Sequence, residues 1–240
     1  MIKQLIFGLF LLIPFTGISQ STEEIIQKHL TAIGGEKNWN KINTILIEST
    51  QRIEGDEIEH RRQVIRNKAV RSDMIYKGRS AAVNDKKYYI LVNQKGGWYF
   101  LPGQAKVAPM NAEEILYYKD DLDYEDPFLN YIQKERQITM IGLEYYDDRE
   151  FYKFSIQYPS GKQEYCYLDS KTFLIDKRVL INAPIEDSRD YRNYTRYGDG
   201  IMMPATIITT GGEITITQVQ INPVLDEKAF NPDFPNNYRR

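Results

Sequence analysis

Few side chains in this chain could do covalent or acid–base chemistry. Its 240 residues hold two histidines, His29 and His60, and one cysteine, Cys166. No His-Glu-x-x-His, Cys-x-x-Cys, Gly-x-Ser-x-Gly or glycine-rich phosphate loop occurs, so the usual zinc, redox, hydrolase and nucleotide signatures are missing. A serine triad would need His29 or His60 beside a buried acid. His29 instead shares the apolar face of the first helix and reads as a packing residue. Cys166 sits between Tyr165 and Tyr167 in a strand-like run and reads as a buried, inert thiol. With one cysteine, no intramolecular disulfide can form.

The one carboxylate cluster dense enough for a hard cation is Asp120-Asp121-Leu122-Asp123-Tyr124-Glu125-Asp126. An EF-hand loop needs glycine at its sixth position, and Asp126 stands there instead. The run reads as an exposed acidic loop. No carboxylate pair stands out as the acid and base of a glycosidase. The expectation is therefore a protein that is not an enzyme, with no metal and no cofactor.

The abundant side chains are apolar and aromatic: 18 Tyr, 10 Phe and 2 Trp. A curved sheet with helices laid across it would turn such residues into the lining of a cavity suited to hydrophobic ligands. Trp98 and Phe100 on one strand, Ile115 and Leu116 at the start of a helix, and Tyr152 and Phe154 on a later strand are the residues expected to border it. Net charge is −2, becoming −3 if a leader carrying Lys3 is removed. Such a balance lacks the electrostatic footprint of a nucleic-acid binder. Arg61-Arg62, among Glu57, Glu59 and His60, reads as a solvated strand face.

These side chains must be placed by elements that the sequence spells out. Met1 to Ser19 has one lysine, a short apolar run from Leu5 to Phe15, and small residues at Gly17 and Ser19, which are the parts of a secretory signal peptide. The run is shorter than the ~20 residues of a membrane span. The expected organisation is a leader over 1–19 and one domain over 20–240, in a periplasmic, monomeric protein. Ser21-Thr22-Glu23-Glu24 caps a helix with Ile25, Ile26, His29, Leu30 and Ile33 on one face, stopped by Gly34-Gly35. A short turn of helix with Trp39 and Ile42 turned inward follows.

From Asn43 the apolar period becomes two, with turns at Gly55-Asp56, Asn67-Lys68 and Gly96-Gly97. Tyr88 to Val92 is apolar on both faces, which predicts cover on both sides. Asn111 to Leu116 opens a helix, Phe128 to Ile132 reads as another short one, and strands resume from Ile138 to Ile221. The fold class is mostly β with α: a large curved antiparallel sheet of about ten or eleven strands wrapped around helices.

The order of motifs resembles the bacterial outer-membrane lipoprotein-sorting family, the periplasmic LolA-like carriers. Its opening is matched by Glu24-Ile25-Ile26 through Ala32-Ile33-Gly34-Gly35, then Trp39 and Ile42. Gly96-Gly97-Trp98-Tyr99 with Pro102-Gly103 resembles its glycine-Trp segment, and Tyr167 to Leu174 its late hairpin. Tyr197 to Pro204, and Ile221-Asn222-Pro223 before Phe230, resemble its last strands. The resemblance implies an incomplete barrel of LolA/LolB type and a carrier of lipoprotein acyl chains or similar amphiphiles. Its partners would be a lipid-modified protein or other apolar ligand and membrane-bound release or acceptor proteins. A sensor of the same fold without a transfer role is the alternative. Arg52, Arg66 and Arg71 compete for the family's cavity arginine, and residues 103–127 for its lid.

Overall fold

The computed structural model describes residues 21–53, 55–78, 86–100, 107–119, 126–181, 187–198 and 200–232. The leader at 1–19, the Pro102-Gly103 turn, Asp120 to Glu125 and hence much of the 103–127 segment lie outside the described residues.

Helix α1 (Thr22–Ala32) starts as its sequence dictates. Ser21 Oγ accepts from Glu24 N and Glu24 Oε2 accepts from Ser21 N, both at 3.1 Å, a reciprocal capping box. Ile25, Ile26 and Leu30 are buried on its inner face. Gly34 and Gly35 end it with φ of +104° and +86°. Helix α2 (Glu36–Trp39) then turns Trp39 inward, and its indole Nε1 donates to Ile33 O at 2.9 Å.

Thirteen strands follow in a single antiparallel sheet. They are β1 Thr44–Ile53, β2 Asp56–Ile65, β3 Ala69–Lys77, β4 Lys87–Asn93, β5 Gly96–Phe100 and β6 Ala108–Pro109, then, after helix α3 (Ala112–Lys119), β7 Gln137–Tyr146, β8 Arg149–Gln157, β9 Gln163–Asp169, β10 Ile175–Ile181, β11 Asp187–Tyr197, β12 Ile201–Thr209 and β13 Gly212–Ile221. The strand count exceeds the expected ten or eleven; β6, only two residues long, has no alternation to read. Sequence neighbours pair as hairpins, β1 pairs with β13, and β6 and β7 are left as the two edges. The sheet is therefore open, an incomplete barrel.

The segment 127–135 corrects one expectation. Phe128 to Ile132 is a series of turns rather than a helix, since Asn130 and Glu135 take φ of +51° and +54°, values that an α-helix cannot contain.

One row across the inner face is continuously apolar. Ile45 pairs with Val64, Val64 with Val70, Val70 with Val92, and Val92 with Gly97. The four apolar residues of that row join the core that also takes in Ile25, Ile26, Leu30 and Trp39 of the helices. On the outer face, Ala69, Tyr89 and Leu91 are covered by Ala229 and Phe230 of the C-terminal 3-10 helix Glu227–Phe230. Strand β4 is thus covered on both sides, as its sequence predicts.

The helical plug is stitched to the sheet at Gly34. Met202 N donates to Ile33 O at 2.8 Å, and a Cβ at Gly34 would lie 2.3 Å from Gly200 O and 2.8 Å from Ile201 Cα. Both obstacles are backbone, and the positive φ adds strain for any other residue. Gly34→Ala is expected to cost at least about 2 kcal/mol, read as a lowered midpoint in urea. An unchanged midpoint would mean that this contact yields without cost.

Candidate functional site

Where α1 and α2 leave the inner face uncovered, the sheet holds a cleft of about 340 Å³. Ile33 and Trp39 close one side. Ile47, Ile207, Ile214 and Ile216 form an apolar wall on β1, β12 and β13. Ile207 stands directly across from Ile214, and Ile216 directly across from Ser49. The volume lies within the ~300–1,000 Å³ of small-ligand sites, which are mostly apolar with a few placed polar groups.

The polar groups are equally ordered. On β2, His60 and Arg62 alternate inward between buried Ile58 and Val64. Ser49 of β1 is opposite His60, and Ser72 of β3 is opposite Arg62. Gln51 Nε2 donates to Gly211 O at 2.8 Å, which turns Gln51 Oε1 toward His60 Nε2 at 3.0 Å. Burial lowers the His60 pKa from its ordinary 6.5, so the ring is neutral and its Nε2–H donates.

Two further polar groups border the cleft. Arg178 of β10 grips Glu164 of β9, with Nη2 2.7 Å from both carboxylate oxygens and Nε 3.0 Å from Oε2. Tyr158 OH donates to the same carboxylate. Burial would raise the pKa of Glu164, but the Arg178 guanidinium and the hydrogen bonds outweigh it and hold the carboxyl below its ordinary range. Asp126, at the mouth of the loop before β7, pairs with His29 of α1: Nε2 lies 2.9 Å from Oδ1, and Nδ1 faces Phe173 O at 2.6 Å. The reading of His29 as a plain packing residue is corrected here, because the ring is wholly buried between two acceptors.

The structure disperses the six residues expected to border the cavity, and none of them lines this cleft. Trp98 and Phe100 lie on the outer face, opposite Leu91 and Tyr89, under the C-terminal segment. Ile115 packs on the inner side, beside Gly97, so the sheet separates it from Trp98 and Phe100. Leu116 is 44 % exposed. Phe154 is fully buried, edge-on to Phe128 at 5.2 Å, and Tyr152 stacks on Phe173 at 6.1 Å.

The arginines are corrected too. Arg52 points to solvent beside Glu57, and Arg66 donates to Trp39 O. Arg71 is buried on the outer face, donating to Asp73 and to Ala229 O. The arginines that line the cleft are Arg61, Arg62 and Arg178. Arg62 was legible in principle: it shares the parity of Ile58 and Val64 on β2. Arg178 was hidden by a register shift between Ile175 and Lys177.

Cys166 is wholly buried, and burial pushes its thiol pKa well up, which leaves it protonated and unreactive. Among the described residues, no group of three or more His, Cys, Asp or Glu side chains is placed to hold a metal ion.

No protein-family model and no curated protein matches the chain. Solved structures do. A domain described as an outer membrane lipoprotein-sorting protein from Vibrio parahaemolyticus is 15% identical, with a TM-score of 0.55 over 87% of this chain and 95% of that one. A LolA superfamily protein from Nitrosomonas europaea is 15% identical, with a TM-score of 0.54 over 90% and 100%. A DUF1329 family protein from Desulfovibrio piger is 14% identical, with a TM-score of 0.55 over 87% and 96%. At these identities the likeness is one of fold: the chain has the open, LolA-like antiparallel sheet.

Proposed function

We propose that this chain is a periplasmic carrier that holds an acyl chain of a lipid-modified protein, or a similar amphiphile, in the inner-face cleft, and catalyses nothing. The observation that carries the reading is the isoleucine wall beside a helical plug, inside a fold shared with a lipoprotein-sorting domain. Burying a chain there gains about 0.8 kcal/mol per methylene, and the cleft is already open, so no cavity has to be made for it. No helix among the described residues is long and apolar enough to cross a membrane, which agrees with a carrier moving between surfaces. Release and acceptor proteins at the membranes would be its partners.

The test is binding of the uncharged fluorophore N-phenylnaphthylamine, with mass spectrometry of whatever acyl compounds co-purify. Ile216→Glu puts a charge on the apolar wall and is expected to weaken the fluorophore by about tenfold or more. Leu116→Glu, on an exposed position, is expected to leave it unchanged. Equal binding by the Ile216 variant, with its β spectrum intact, would remove the cleft from consideration.

A further inference from the structure

We infer that the cleft takes a single-chain amphiphile with a neutral hydroxyl head, which donates to His60 Nδ1 beside Ser49 while its chain lies along Ile214 and Ile216. This rests on the binding role proposed above and names its ligand class. A bare acceptor carries it. Gln51 Nε2 is committed to Gly211 O, so Gln51 Oε1 is what faces His60 Nε2, and an oxygen acceptor there keeps the ring proton on Nε2. In the neutral ring Nδ1 then holds only a lone pair, and nothing among the described residues donates to it. The cross-strand neighbours of His60 are Ser49 on β1 and Met74 on β3. Burial alone moves its pKa, downward from 6.5, with no contribution from a neighbouring charge.

The charges along the cleft are already engaged. Arg61 meets Glu48 at 3.2 Å, Arg178 meets Glu164 at 2.7 Å and Asp126 meets His29 at 2.9 Å, and Arg62 is not free either. Beside the isoleucine wall the open groups are neutral: His60 Nδ1 and the hydroxyls of Ser49 and Ser72, which have no hydrogen-bond partner among the described residues. Ser49 lies between His60 on β2 and Ile216 on β13, so the polar end runs directly into the apolar wall. A hydroxyl both donates and accepts: it can give its proton to Nδ1 and take one from Ser49. A carboxylate would set a lone pair against the lone pair of Nδ1 and lose its water, and an ammonium head finds no unengaged anion. The volume of about 340 Å³, at the lower end of ligand cavities, suits one chain rather than several.

The experiment displaces bound N-phenylnaphthylamine with three ligands of equal chain length: dodecanol, its methyl ether, which accepts but cannot donate, and dodecanoate. At alkaline pH dodecanol is expected to compete at concentrations about fivefold or more below the ether, the scale of one hydrogen bond, and below dodecanoate. Protonating His60 turns Nδ1 into a donor, which serves the ether as well as the alcohol. The alcohol-to-ether ratio is therefore expected to fall to within about twofold as pH drops through the histidine pKa. His60→Phe is expected to abolish the ratio at every pH while keeping the fluorophore. The pH series uses the wild type, so it decides the matter even if that variant does not fold. Equal competition by alcohol and ether at alkaline pH, a ratio indifferent to pH, or tighter competition by dodecanoate each overturns this inference and leaves the carrier reading standing. Failure of the wild type to bind the fluorophore at all overturns the carrier reading itself.

Discussion

Arg178→Met is expected to destabilise the fold by about 3–5 kcal/mol, because it strands the buried Glu164 carboxylate without its counter-ion. The Glu164 side chain is 4 % exposed, and every hydrogen bond from Arg178 to it is 3.0 Å or shorter. Adding Glu164→Gln removes the stranded charge and keeps a partner for Tyr158. The double variant is therefore expected to be more stable than Arg178→Met alone, by at least ~1 kcal/mol. Acid provides a second check. In the wild type the Glu164 pKa is depressed, so its contribution is lost as pH falls through that value. In the variant burial is opposed only by the Tyr158 hydrogen bond and the Lys162 charge and raises it, so stability should instead improve on acidification. Urea midpoints across acid pH read both effects. A loss below about 1 kcal/mol, the scale of a surface pair, would show that water reaches the site and screens it.

The second large effect is alkaline loosening at His29. Both ring nitrogens face acceptors, Asp126 Oδ1 and Phe173 O, and only the protonated ring can donate to both. Burial lowers the pKa of His29, but the Asp126 carboxylate and the Phe173 carbonyl outweigh it, and the net shift is upward from 6.5. The carboxyl of Asp126 is correspondingly held below its ordinary 3.8, because His29 outweighs the burial that would raise it. The pair is thus fully formed between 3.8 and 6.5, and its contribution disappears as pH rises through the raised histidine value. Asp126→Asn is expected to cost about 1–3 kcal/mol and to flatten the alkaline limb of stability against pH. An alkaline limb surviving in that variant would place its cause elsewhere.

Local pattern made most of the architecture legible. The Ser21 cap, the glycine stop and the strand alternation all act within a few residues, so each leaves its mark in sequence. Trp98 and Phe100 show where this ends. Their shared parity was readable, but β5 and β4 carry apolar residues on both faces, and only the return of residues 225–230 decides which face is outer. The ion pairs are of the same kind. Arg178 meets Glu164 across a strand register, and His29 meets an acid on the far side of six strands of sequence. Neither partner is implied by composition or spacing. The polar block on β2 lay between these cases: its parity was visible, but a charged, alternating strand suggested solvent.

The middle of the sheet is made by the two ends of the chain. Strand β1 is flanked by β2 on one side and β13 on the other, and the Asn222 side chain accepts from Asn43 N across 179 residues. Local hairpins can form as soon as each is available, whereas this seam must wait for nearly the whole chain. Until then β1 presents an open edge, with Ile45 and Ile47 beside unpaired backbone amides, which is a template for pairing with other chains. Such high contact order makes closure the slow event of folding, and the interval before it is when the nascent protein is most prone to aggregate. The strand that completes the seam thus sets the length of that interval.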